Sequence, residues 1–219
     1  AATGTGAITE TLNNTTANPV VVTYTITSTA NGCSSNTQAV NVTVNPTPQL
    51  SSSLTTTPIC SNTNFAYAPS SATAGTNFAW TRASVAGISN AAGNGMGSIN
   101  EALVNTTANP VTVNYVYVLT ANNCTAIQNF NVTVNPAPSL TSSLAPAGVC
   151  SNTAFAYTPT SATAGTTFAW SRAAVAGISN ASATGTGAIN ETLINTAAGT
   201  VIHLCRTQFR RKTELASGL

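Results

Sequence analysis

The chain has 219 residues, of which only 5% are charged, and its formal net charge is +2. Four of the six basic residues (Arg206, Arg210, Arg211 and Lys212) stand near the C-terminus, so the body up to Val201 carries only Arg82 and Arg172 against Glu10, Glu101 and Glu191. That body has no basic stripe for nucleic acid, no apolar run of 18 residues to span a membrane as a helix, and too many alternating Val and Thr residues for a disordered chain.

Taken in chain order, the sequence repeats itself. Thr3-Gly-Thr-Gly-Ala-Ile8 returns as Gly95-Met-Gly-Ser-Ile99 and again as Thr184-Gly-Thr-Gly-Ala-Ile189. Cys60-Ser-Asn-Thr-Asn-Phe-Ala-Tyr67 returns 90 residues later as Cys150-Ser-Asn-Thr-Ala-Phe-Ala-Tyr157. Such a period is about the size of one β-sandwich domain. Residues 1–46 match the second half of a repeat, 47–136 a whole repeat, and 137–196 a first half. From 197 to 219 the pattern breaks, and this anomalous tail is excluded from functional argument. Asn45-Pro-Thr-Pro48 and Asn135-Pro-Ala-Pro138 mark the joints, because paired prolines end strands and stiffen connections. With no signal-peptide pattern at Ala1, the chain reads as an internal piece of a longer exported protein.

The middle repeat alternates with period two. Phe65 and Tyr67 share one strand face. Ala72–Asn77 is a turn-rich loop, and Phe78, Trp80 and Arg82 share the face of the next strand. Gly87 and Asn90–Gly97 are assigned to loop. Ile99, Glu101 and Leu103 share a face, as do Val111, Val113, Tyr115 and Tyr117. Ala121-Asn-Asn-Cys124 is a hairpin turn, and Phe130, Val132 and Val134 line the last strand. About seven short one-sided strands and no helical pattern predict an all-β fold, a series of antiparallel β-sandwiches. The terminal halves overlap in the strand Ile8–Leu12 and Ile189–Leu193. Two readings stay open: accidental boundaries, or head-to-tail completion of one molecule's last half by the first half of the next.

Residues for catalysis are missing. The chain has no Asp, and its one His is His203, in the tail. A Ser/His/Asp triad, a His-rich metal site and a carboxylate-cluster calcium site are therefore not expected, and neither a cofactor nor an enzyme activity is predicted. Lys is absent before Lys212, which excludes a Lys–Asn isopeptide crosslink from the repeats. The Gly-X-Gly strings lack the third glycine and helix of a dinucleotide site and are read as loops. Arg82 and Glu101 are the middle repeat's only charges and both fall on core-facing positions. A buried charge needs a partner, so the reading is an ion pair, repeated as Arg172–Glu191, with Glu10 lacking its arginine. Trp80, Trp170, Tyr115 and Tyr117 are assigned to the core. Of the five cysteines, Cys60 and Cys124 are the candidate intradomain disulfide, worth about 4 kcal/mol in the chain-entropy model. The rival set joins Cys33 to Cys60 and Cys124 to Cys150 across domains.

The run Ile59-Cys-Ser-Asn-Thr, Phe65-Ala-Tyr, Ala79-Trp-Thr-Arg82, Ile99-Asn-Glu-Ala-Leu103 and Val113-Asn-Tyr-Val-Tyr117 resembles the PKD-like, immunoglobulin-like repeats of giant adhesin-like surface proteins of the Bacteroidota type. The resemblance covers roughly residues 3–196. It implies tandem immunoglobulin-like sandwiches, export to the cell surface, and the role of an adhesin-like stalk or filament subunit. The expected partners are the chain itself, head to tail, and a surface polysaccharide, with no nucleic acid and no membrane insertion. A carbohydrate-binding accessory module of a secreted hydrolase is the alternative. The PKD signature Trp-Asp-Phe-Gly-Asp is absent, since Thr81 and Arg82 follow Trp80, and no calcium or polysaccharide site is carried over.

Overall fold

The structure, a computed structural model, describes residues 3–197. His203, Cys205 and the basic tail lie outside the described residues. The chain divides into two compact units, one ending at Ala137 and the other starting at Pro138.

The first unit opens with β1 (Val20–Ile26), β2 (Thr29–Ala30), β3 (Cys33–Ser34) and β4 (Gln38–Val44). β1 pairs antiparallel with β4, and β2 with β3, so the four make one long, interrupted hairpin. Asn31 and Gly32 turn its tip at φ of 47° and 76°, the left-handed pair that a tight two-residue hairpin needs. The strand expected at Ile8–Leu12 does not form. In the middle repeat the equivalent strand is held by Asn64–Tyr67, from the first half of the same repeat, and no such partner stands beside Ile8–Leu12 among the described residues.

The middle repeat holds seven strands: β5 (Ile59–Cys60), β6 (Asn64–Tyr67), β7 (Asn77–Arg82), β8 (Gly93–Met96), β9 (Ile99–Ala102), β10 (Val111–Ala121) and β11 (Cys124–Asn135). Five form a sheet in the order β5-β11-β10-β7-β8, while β6 and β9 pair separately. All pairings are antiparallel except β5 with β11. The small sheet covers the large one through aromatic contacts. Phe65 lies 5.5 Å from Tyr115 between ring centres, and Tyr67 lies 4.4 Å from Phe130. β10 shows why the alternation was readable: Val113, Tyr115, Tyr117 and Leu119 are wholly buried while Thr112 and Asn114 face out. Together with Ile99, Leu103, Phe130, Val132 and Val134 they form the core.

Gly93–Met96 departs from the loop assignment: it is a strand paired to β7, with Gly95 opposite Trp80. Glycine usually weakens a strand, but it also marks a place where another group approaches the backbone closely. A Cβ on Gly95 would stand 2.8 Å from the Trp80 indole nitrogen, and one on Gly185 would stand 2.6 Å from the Trp170 ring. The missing side chains are the seats of the tryptophans.

In the second unit β12 (Ala154–Tyr157) pairs with β15 (Ile189–Thr192), and β13 (Ala169–Arg172) with β14 (Ala183–Thr186). These match β6, β9, β7 and β8 strand for strand. Phe155, Trp170 and Ile189 are only half-buried here, where Phe65, Trp80 and Ile99 are buried. No counterpart of the β10–β11 hairpin covers them among the described residues.

Truncating the buried core should separate sharply from truncating the surface. Leu103→Ala removes a fully buried side chain and should cost about 3 kcal/mol. Ile127→Ala, at a position 72% exposed, should stay within about 0.5 kcal/mol of the parent. Urea unfolding followed by tryptophan fluorescence measures both.

Candidate functional site

The polar centre of the middle repeat is built on three strands. β7 carries Arg82, β9 carries Glu101 and β10 carries Tyr115. Arg82 comes inward because it sits two residues beyond Trp80 on the core face, and Glu101 because it sits between Ile99 and Leu103. The structure brings them together in a two-pronged contact: Arg82 Nε donates to Glu101 Oε2 at 3.0 Å and Nη2 to Oε1 at 3.1 Å. Nη2 also donates to the Ala91 carbonyl at 2.7 Å. The Tyr115 hydroxyl donates to Glu101 Oε2 at 2.6 Å. The Arg82 side chain is 1% exposed and that of Glu101 19%. Both charges are therefore compensated by geometry as well as by sign, as burial demands.

The electrostatics follow from that packing. Burial pushes the Glu101 carboxyl up, but hydrogen bonds from Arg82 and Tyr115 and the guanidinium charge outweigh it and hold the group below its ordinary value. The Glu101 hydrogen bond holds Arg82 protonated, against its burial. Burial, then the contact with Glu101, pushes Tyr115 up, so its hydroxyl remains a donor. Nothing in this triad is poised to exchange a proton near neutrality, and its groups are occupied with one another.

The third repeat places Arg172 and Glu191 in the same contact, at 3.0 Å, with Arg172 Nη2 on the Ala181 carbonyl. Here the side chains are 19% and 15% exposed. Ala183 stands where the middle repeat has Gly93, whose Cβ would meet Glu101 Oε1 at 2.9 Å. In the first repeat, the Tyr24 hydroxyl donates to Glu10 on the surface. That is the Tyr115–Glu101 contact without its arginine.

Trp80 and Tyr115 meet edge to face, 5.9 Å apart, and Tyr117 donates its hydroxyl to the Gly97 carbonyl at 2.8 Å. Trp80 is buried, Trp170 half-buried, and both indole N–H groups lie buried without a hydrogen-bond partner over their glycines. Sequence reading missed a second buried polar residue. Asn105 donates to the Asn109 and Val134 carbonyls and accepts from Thr107 N–H and Oγ1. Asn14 repeats the arrangement with Asn18, Val44 and Thr16. The signal was present, since Asn-Thr-Thr-Ala-Asn-Pro-Val occurs at both 14–20 and 105–111.

The predicted Cys60–Cys124 bridge is wrong. Cys60 is paired in register with Asn135, the last residue of β11, whereas Cys124 is its first. At about 3.3 Å per residue they are roughly 36 Å apart, against the 7 Å or so that a disulfide allows. Cys33, Cys60 and Cys124 are free thiols, which rules out the rival cross-domain set as well. Among the described residues no group of three His, Cys, Asp or Glu side chains stands close enough to hold a metal ion.

The middle repeat is thus a seven-stranded sandwich with a charge-paired interior. The PKD-like domain family matches residues 1–48 and 57–138. The chain belongs to that family. PKD-like domains are immunoglobulin-like modules, usually extracellular and typically non-catalytic. No curated protein matches the chain. No helix among the described residues is long and apolar enough to cross a membrane.

Two substitutions test the PKD-like core. Glu101→Gln leaves Arg82 buried beside a neutral amide and should cost about 3 kcal/mol at pH 7. A carboxyl held below its unfolded value, about 4.3, adds stability above that pH and loses it as pH falls through the folded value. The parent should therefore weaken below about pH 4, and Glu101→Gln should show a shallower acid loss in urea titrations. Gly95→Ala drives a methyl into Trp80 and should cost about 2 kcal/mol, with a changed tryptophan emission maximum.

Proposed function

We propose that this chain is a structural array of PKD-like modules at the cell surface, serving as part of an adhesin-like stalk or filament. The observation that carries the reading is the joint between the first two repeats. Pro46 and Pro48 are fully buried, so the linker is packed rather than loose. Asn45 Nδ2 donates to the Asn122 carbonyl at 2.9 Å, joining the end of one repeat to the hairpin tip of the next. The Leu50 N–H is held by Gln128 Oε1. A proline-stiffened joint with buried prolines and polar anchors transmits force and holds an axis, which is what a spacer needs.

The carbohydrate-binding alternative requires an exposed aromatic platform. Trp80 is buried, and the groove of about 640 Å³ along the joint is lined by Asn13, Thr16, Thr47, Gln49, Leu50 and Thr73 among others, without a ring or a charge. Both features favour the stalk. Binding to a surface polysaccharide through edges and loops stays within the proposal as a secondary property of an adhesin.

Negative-stain imaging of concentrated protein should show beaded strings. Isolated beads, together with saturable polysaccharide binding by calorimetry and quenching of tryptophan emission, would replace the stalk by the carbohydrate module.

A further inference from the structure

The two sheets of the middle repeat treat their edges differently. β9 and the residues just after it are closed on the side away from β6. Asn90 Nδ2 donates to the Ala102 carbonyl at 3.0 Å, and its Oδ1 accepts from the Val104 N–H at 2.8 Å. One carboxamide thus takes the place of a neighbouring strand. Asn180 does the same in the third repeat, on the Thr192 carbonyl and the Ile194 N–H. β8 has no such guard. It is an outermost strand of the five-stranded sheet, and its residues Gly93-Asn-Gly-Met96 include neither proline nor any charge, the usual devices that blunt an edge.

The ladder fixes which groups this edge presents. The Gly97 N–H donates to the Phe78 carbonyl at 2.8 Å. Phe78–Gly97 is therefore a hydrogen-bonded pair in the β7–β8 register, and alternation makes Trp80–Gly95 the next one. Asn94 and Met96 turn their N–H and C=O groups outward, and no hydrogen bond among the described residues reaches those groups. Their side chains lie on the outer face of the sheet, beside Thr81 and Ala79. At that level the sheet carries an apolar row, with Ile127, Val118, Ala79 and Met96 as successive cross-strand neighbours. Ile127 is 72% exposed, Met96 68% and Val118 37%. In the third repeat Thr186 stands at the place of Met96.

We propose that β8 pairs with β8 of a second copy of this chain, antiparallel about a two-fold axis at Gly95. Placing Gly95 opposite Gly95 of the second copy sets each Asn94 opposite the other copy's Met96. In that register the outward N–H and C=O groups of each such pair face one another and exchange hydrogen bonds, and the two sheets become one. The contact is self-complementary, as a two-fold interface must be. The two Met96 side chains become diagonal neighbours on the outer face, a spacing within reach of long side chains. Each apolar row then runs on into the other. A second copy is the occupant that both the edge and the row fit. It supplies matching donors and acceptors and a thioether at the diagonal, and it brings no charge to the contact. This pairing goes beyond the stalk reading: it is lateral, it uses strands of a complete repeat, and it does not depend on how modules follow one another.

Sedimentation equilibrium of the concentrated full chain should show monomers in exchange with dimers. Met96→Pro removes an N–H that the β7 ladder does not use, a replacement that edge strands tolerate. It should weaken association at least tenfold and leave the urea midpoint unchanged. Met96→Lys, at the same exposed position, sets two like charges at the diagonal and should weaken association as strongly at low salt, with part of the loss recovered at high salt. The register is read by mixing Asn94→Cys chains with Met96→Cys chains under mild oxidation. Opposite Cα atoms of a hydrogen-bonded pair stand about 5.5 Å apart, inside the disulfide range, so peptide mapping should find residue 94 of one chain joined to residue 96 of the other. Dimers that keep their strength in both Met96 variants, or whose crosslinks omit the 94–96 pair, would overturn the β8 pairing. So would a chain that stays monomeric at high concentration.

Discussion

The middle repeat is organised around the cost of keeping an arginine out of water. A guanidinium with 1% exposure in a module that has one other charge is tolerable only if every neighbour is arranged for it. Glu101 supplies the counter-charge, the Ala91 carbonyl takes another N–H, and Tyr115 fixes the carboxylate from the opposite sheet. The Tyr115 bond ties β9 to β10, and the Arg82 bonds tie β7 to β9. The pair is thus a polar bolt through both sheets, and it fixes the register in which Phe65, Trp80 and Phe130 pack.

Much of this was legible because strands declare their faces. Period two placed Phe78, Trp80 and Arg82 on one side and Ile99, Glu101 and Leu103 on another, and two lone charges on facing surfaces have only each other. The Asn122–Asn123 turn was readable from its residue types, and φ values of 49° and 62° are those that asparagine tolerates. Strand β8 was illegible because a strand of alternating glycines carries no pattern of its own; its pattern is the face of Trp80. The Tyr115 hydroxyl was illegible because period two gives a side chain's face and not its tip.

The cysteines failed for a different reason. Sequence places Cys60 near the start of a domain and Cys124 near its end, which suggests proximity in a compact fold. β5, however, joins β11 in parallel at its last residues, so the two thiols stand at opposite poles. Parallel addition of a two-residue strand is a tertiary decision that leaves no local trace. The proline pairs mark the linkers in the sequence, but the burial of Pro46 and Pro48 in the first of them is a tertiary feature that the residue types do not declare.

The contact between Gly95 and Trp80 has a consequence for how such arrays diverge. A duplicated module inherits an indole and the bare backbone under it as one unit, because a methyl at position 95 is blocked while the ring is present and a glycine there is merely a weak strand residue once the ring is gone. Drift at either position is therefore conditional on the other. Gly93 is under a looser tie, and Ala183 at its place in the third repeat, beside a more exposed Arg172, is that tie relaxed. The two glycine positions thus differ in how firmly a side chain is barred from them: a ring blocks the one, and the mobile end of a carboxylate and a guanidinium the other.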